Sequence, residues 1–207
     1  MKGCLTIVLS VLLLSGCGRS WQIKPVNKAD VTMAVTPPEV YLSRSVAWKL
    51  PHARVVEGSF AAVQSVKGRY GDRSFEMIFQ LEKKADDLVI VAVTPMGQQL
   101  LQVEYRGGVL TSQVSPLLGG GIKPAYLISD FLLAFGQVDN LLPYLKLYSG
   151  LRLEDKPGKA RSLYLNDDPL VTVTYSGTLG HWPKSVKYRH EALNYELDIT
   201  LLSLEPL

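Results

Sequence analysis

Between Arg73 and Lys83 the chain alternates. Phe75, Met77, Phe79 and Leu81 fall on one side of an extended backbone, and Ser74, Glu76, Gln80 and Glu82 on the other, with Ile78 as the interruption. A period of two over this length belongs to an antiparallel strand with one buried face. Neighbouring segments at residues 55–66, 88–94, 100–105 and 109–114 are also rich in strand-forming residues. Short turn signals at 68–72, 84–87, 95–97 and 107–108 separate them. Residues 88–93 are apolar on both faces, so something must cover that strand twice. Strands resume at 151–154, 161–166, 170–175, 184–189 and 195–203, with turns expected at 156–159, 166–169 and 176–183.

The middle of the chain has a different period. Pro124 suits a first helical turn, residues 125–135 (AYLISDFLLAF) follow it, and Gly136 is a helix stop. Tyr126, Leu127, Phe131, Leu132, Leu133 and Phe135 leave little polar surface beyond Ser129 and Asp130. A second helical stretch is expected at 139–148, carrying Leu141, Leu142, Leu145 and Leu147, with Pro143 near its start. A helix pair this apolar must be buried on most sides or must cover something apolar. The order is therefore about five antiparallel strands, two helices, then about five strands. A one-sided sheet and an over-apolar helix pair fit together as the wall and cover of a hydrophobic cleft.

The N-terminus carries an address. Lys2 precedes an apolar run at residues 5–14, too short to span a bilayer as a mature helix, and Leu14-Ser15-Gly16-Cys17 follows. Small residues before a cysteine suit cleavage ahead of Cys17 and acylation of its sulfur. Residues 1–16 are thus expected to be a lipoprotein signal peptide, and Cys17 the membrane anchor. Cys4 lies inside the removed piece, so no intramolecular disulfide is open to the mature chain. Gly18 replaces the aspartate that retains enterobacterial lipoproteins in the inner membrane, which points to the periplasmic face of the outer membrane. Residues 17–50, with Pro25, Pro37 and Pro38, read as the acylated cysteine and a tether, running into a short helix before Pro51. The domain itself is expected at 51–207.

The net charge of +3 falls by one when Lys2 is removed, and no lysine or arginine run is present, so a nucleic-acid partner is not expected. His52, His181 and His190 have no ligand spacing and read as surface or satisfied histidines, so no metal is expected. Gly119-Gly120-Gly121 is followed by no Gly-Lys-Ser/Thr and reads as an approach to the helix. No Gly-x-Ser-x-Gly elbow is present. Asp86-Asp87 and Asp167-Asp168 stand in turns, where aspartate is favoured for local hydrogen bonds. No catalytic residue and no cofactor are expected.

Several short motifs resemble one family. Thr94-Pro95-Met96-Gly97-Gln98-Gln99-Leu100-Leu101 is similar to the Pro-Leu-Gly turn between two strands of the outer-membrane lipoprotein receptor LolB. Residues 125–151, ending Tyr148-Ser149-Gly150-Leu151, resemble the helical lid of LolB and its soluble partner LolA. Trp182-Pro183-Lys184-Ser185-Val186-Lys187 with Tyr195-Glu196-Leu197-Asp198-Ile199 resembles the last hairpin. Tyr148 stands where the receptor usually has tryptophan, and Met96 replaces its leucine. The resemblance is therefore to a lipoprotein family of the same fold, the DUF3261 type, within the LolA/LolB-like superfamily.

This resemblance implies a mainly β fold with α: a curved, incomplete antiparallel β-barrel of about 10–11 strands, with a helical lid or plug inserted mid-chain. It implies a membrane-contact loop at Pro95, Met96 and Gly97. The lid would be Tyr126, Leu127, Phe131, Leu132, Phe135, Leu141, Leu142 and Leu145. A lipid or acyl chain would be the ligand, the membrane would be reached through the acylated cysteine, and a periplasmic carrier protein would be a further partner. The other reading of the same residues is a scaffold lipoprotein whose helices fill the barrel and which binds a protein partner.

Overall fold

A computed structural model of the chain describes residues 32–33, 37–118 and 122–207. The expected signal peptide, Cys17 and the glycine run at 119–121 lie outside the described residues. Among those described, the main sheet has eleven strands. The first block is β4 (Phe60–Tyr70), β5 (Arg73–Lys84), β6 (Asp87–Val93), β7 (Gln99–Arg106) and β8 (Val109–Val114), preceded in the chain by β1 (Thr32–Met33), β2 (Glu39–Tyr41) and β3 (Ala47–Lys49). Helices α1 (Pro124–Phe135) and α2 (Val138–Leu145) follow. The second block is β9 (Leu151–Lys156), β10 (Ala160–Leu165), β11 (Asp168–Leu179), β12 (Trp182–His190) and β13 (Tyr195–Pro206).

The strand order β1-β8-β7-β6-β5-β4-β13-β12-β11-β10-β9 explains where the helices sit. The first meander starts at the centre and runs outward to β8. The second starts at the opposite edge with β9 and returns to the centre, where β13 pairs along all of β4, from Phe60↔Pro206 to Tyr70↔Tyr195. The link between the two edges must cross one face of the sheet, and α1 and α2 form that link. One contiguous apolar core joins both meanders, both helices and the β2–β3 hairpin on this inner face. The sheet is curved and open, an incomplete barrel closed over by its own connection.

The alternation read in β5 is kept, with Met77, Phe79 and Leu81 buried. Residues 88–92 are covered twice, as their composition required. Leu88, Ile90 and Ala92 belong to the core. Val89 and Val91 face the other way, between Glu82, Gln80, Glu104 and Gln102 of the flanking strands, which shield them with long side chains.

Four segments depart from expectation. Instead of a tether and a short helix before Pro51, residues from Glu39 to Lys49 form the β2–β3 hairpin, and Val40, Leu42, Trp48 and Leu50 are core residues. The Tyr105 hydroxyl donates to the Leu50 and Pro51 carbonyls at 3.2 and 3.0 Å and ties this hairpin down. Val55 and Val56 are buried from a 3-10 turn rather than from a strand, because Gly58, at φ 82°, turns the chain before β4 begins. The long turn expected at 176–183 is strand: the register of β11 with β12 runs unbroken past Gly177, which adopts φ 61°, and the reversal occupies only Gly180 and His181. α2 also ends at Leu145, short of Tyr148.

Candidate functional site

A cleft of about 210 Å³ opens at one end of the sheet, beside the first half of α1. Its wall is the ends of three adjacent strands: Arg69 and Tyr70 of β4, Phe75 and Phe79 of β5, and Tyr195 and Leu197 of β13. Its cover is Ile122, Lys123, Tyr126, Leu127 and Asp130, with Leu193 at the margin. Most of this lining is apolar. Register places the Pro95-Met96-Gly97 turn at the same end: Val93 pairs with Ile78, and β5 continues past that pair to Arg73, opposite Tyr70.

That turn has the geometry its residues dictate. Gly97 adopts φ 85° and donates to the Thr94 carbonyl at 2.8 Å, while Thr94 donates to the Gln98 carbonyl at 2.8 Å. Met96 is left at the apex, 98% exposed. The register brings two more exposed apolar side chains to this end of the sheet, Tyr70 and Leu117. Leu117 follows β8, whose last residue, Val114, pairs with Leu101.

The expected lid residues divide into two groups. Tyr126 and Leu127 line the cleft. Phe131, Leu132, Leu141 and Leu145 are buried in the core, Phe135 is half-buried and stacks on Trp182 at 4.9 Å, and Leu142 is half-buried on α2. The deep end of α1 is also fastened. Arg161 on β10 donates to the Leu133 and Gly136 carbonyls at 2.8 and 2.7 Å and pairs with Asp155 at 2.7 Å. The Tyr175 hydroxyl donates to the Ala134 carbonyl at 2.7 Å. These bonds satisfy carbonyls that a helix end leaves open and set a cation at the negative end of the dipole. Burial and the neighbouring Asp155 push the Tyr175 hydroxyl up to about 12, against Arg161, which pulls it down.

Ser129 and Asp130, which the sequence offered as polar surface, are both buried. The Asp130 carboxylate oxygens accept the Tyr195 hydroxyl at 2.7 and 2.8 Å. Burial pushes this carboxyl up to about 7, while Tyr195 and the nearby Tyr188 act to lower it. His190 is neither at the surface nor satisfied. It lies against the Tyr195 ring at 5.1 Å, has no partner for either ring nitrogen, and is lowered by burial to about 4. The Tyr188 hydroxyl, also fully buried, makes no hydrogen bond of good geometry. Of this cluster, the sequence reads His190 as a surface or satisfied histidine and gives Tyr188 and Tyr195 no part in a site. A lone carboxylate inside an otherwise apolar helix was the one available signal. His52, by contrast, bonds Asp86 at 2.7 Å, and His181 is exposed.

No curated protein matches the chain. Solved structures similar to it at low identity include the following two. One is a LolA superfamily protein from Nitrosomonas europaea, 9% identical, with a TM-score of 0.44, covering 75% of this chain and 90% of that one. The other is a putative outer membrane lipoprotein-sorting protein domain from Vibrio parahaemolyticus, 11% identical, with a TM-score of 0.34, covering 72% of this chain and 85% of that one. A family model described as a protein of unknown function, DUF3261, matches residues 61–203, from β4 to β13. That span is well over half of the chain, and the protein belongs to the DUF3261 family.

Proposed function

We propose that this protein is a lipid-anchored carrier at the periplasmic face of the outer membrane. It holds an acyl chain or lipid-like molecule in the cleft beside α1 and exchanges it with a membrane or a periplasmic carrier protein. One observation carries the reading: an apolar cleft and the 98% exposed Met96 occupy the same end of the sheet. An apolar tip beside an apolar cleft lets a chain pass from bilayer to protein with little exposure to water, and methionine adapts to irregular apolar surroundings. Cys17 supplies the anchor, since several acyl chains together hold a protein stably where one does not.

The test is transfer of a fluorescent lipid into liposomes by the full chain. Met96→Glu should leave folding and acylation intact and abolish transfer, because a charge in the apolar layer is costly. Met96→Leu should remain active. Equal rates for the two variants would make the tip only a turn. Cys17→Ser should leave the precursor uncut or the protein unacylated, as read by membrane fractionation.

The scaffold reading has its own support in the solid packing of Phe131, Leu132, Leu141 and Leu145 and in the clamp on the deep end of α1. Native mass spectrometry of the protein purified from cells separates the two. A co-purifying lipid is the carrier's signature, and a repeatedly empty cleft is the scaffold's.

A further inference from the structure

An acyl-chain site needs only apolar walls, and this cleft has a carboxylate set into one of them. Asp130 lies two helical turns below Lys123 on α1, is 8% exposed, and contributes to the cleft lining. Its two oxygens share one well-formed donor, the Tyr195 hydroxyl, and the Tyr188 hydroxyl approaches them without good geometry. A carboxylate can accept about four hydrogen bonds, so most of its capacity is unused in a place where little water reaches it. The nearby Tyr188 hydroxyl, fully buried, has no bond of good geometry, and neither nitrogen of the buried His190 ring has a partner. A leucine on this face of α1 would pack at no such cost. Buried polar groups left short of partners are rare and tend to mark a site where something else completes them.

Charge at the two ends of the cleft narrows the occupant. A free fatty acid with its head inward would set a second carboxylate against Asp130. With its head outward at Lys123, it would bury the Asp130 carboxylate against a methyl end. A cationic amphiphile with its head inward must strip an ammonium of water to reach a buried carboxylate, a cost that the pairing at best offsets. With its head outward it meets Lys123, for which no acidic partner lies within ion-pair distance among the described residues, and Arg69 beside it is already held by Glu196 at 3.1 Å. An uncharged head that donates hydrogen bonds meets neither penalty.

We infer that the cleft selects a neutral amphiphile, an alkyl or acyl chain ending in a hydroxyl or amide N–H, with that donor bound by Asp130 beside Tyr195 and the chain lying on Phe75, Phe79 and Leu127. The inference rests on the cleft being a ligand site, as proposed above, and adds the chemistry of the ligand's head group.

The experiment is displacement of diphenylhexatriene, a neutral hydrocarbon probe, from the full chain by dodecanol and by laurate, which share a chain length. It is run above neutral pH and below the solubility limit of each. Dodecanol should displace the probe at about a tenfold lower concentration, the fold-change that one hydrogen bond to a carboxylate implies. Asp130→Asn, which keeps shape and can donate to a carboxylate, should collapse that preference, and Lys123→Gln, which removes the cation a laurate head would meet at the mouth, should widen it. Laurate displacing as well as dodecanol from the unmodified protein, or a preference unchanged in Asp130→Asn, would overturn the head-group assignment while leaving the cleft a ligand site. Failure of the hydrocarbon probe to bind would overturn both together.

Discussion

The phenyl ring of Phe75 lies across the Cα of Gly68 on the neighbouring strand, so close that a Cβ at position 68 would stand 2.0 Å from Phe75 Cζ. The two residues are register partners on β5 and β4, and Gly68 is also opposite Leu197 of β13. A missing side chain in the central strand is what allows an aromatic ring to lie flat against the cleft wall instead of standing into the cleft.

Gly68→Ala should therefore lift Phe75 into the cleft. The expected cost is about 1–3 kcal/mol of stability, as for other overpacked sites, together with weaker binding of an apolar fluorescent probe. Adding Phe75→Ala should recover much of the stability, since the two changes share one contact. Strict additivity in urea melts would show that the ring is not the obstacle.

Arg161 is 9% exposed and is the only cation that reaches the α1 terminus among the described residues. Arg161→Met strands Asp155 and two helix carbonyls, and should cost about 3–5 kcal/mol, the range for breaking a buried pair by removing one partner. Arg161→Lys should rescue little, because one ammonium cannot reproduce a planar fork that serves three acceptors. Denaturant midpoints of the two variants measure this directly.

Leu132 and Leu127 lie on the same helix with different fates. Leu132→Ala should cost about 2–5 kcal/mol with probe affinity unchanged, as for a packed core leucine. Leu127→Ala should cost less and weaken probe binding several-fold. Should both lose stability alike and neither affect the probe, α1 is core throughout and the cleft holds no ligand.

Asp130 and His190 set opposing pH dependences. The folded pKa of Asp130 is about 7 against a usual 3.8, so the folded state binds more protons between those values and stability falls as pH rises through them. The folded pKa of His190 is about 4 against 6.5, so the unfolded state binds more protons there and stability rises. The two slopes overlap from about pH 4 to 6.5 and largely cancel. Asp130→Asn removes one of them, so its stability should rise by on the order of 2 kcal/mol across that window. The unmodified protein should change much less, and His190→Asn should lose stability as pH rises. Urea denaturation at several pH values reads all three curves, and parallel curves for the protein and Asp130→Asn would place the titration elsewhere.

The sequence by itself determined the local geometry. The period of two in β5, the doubly apolar β6, the helix begun by Pro124 and stopped by Gly136, and the exposed Met96 between Pro95 and Gly97 all follow from dihedral preference and side-chain alternation over a few residues. The tertiary structure decided what those elements face. Whether Phe131 lines a cleft or fills the core depends on how far the pairing of β13 with β4 draws the second meander beneath α1, and that contact is remote in sequence. The same pairing brings Tyr195 to Asp130 and sets Gly68 between Leu197 and Phe75. The β2–β3 hairpin was illegible for a related reason: its strands are too short to show a period, and their burial comes from a core built by later segments. Alternation reports that a face is apolar. Only the long-range pairings, which curve the open sheet around its own crossing helices, decide whether that face meets a neighbour or a cleft.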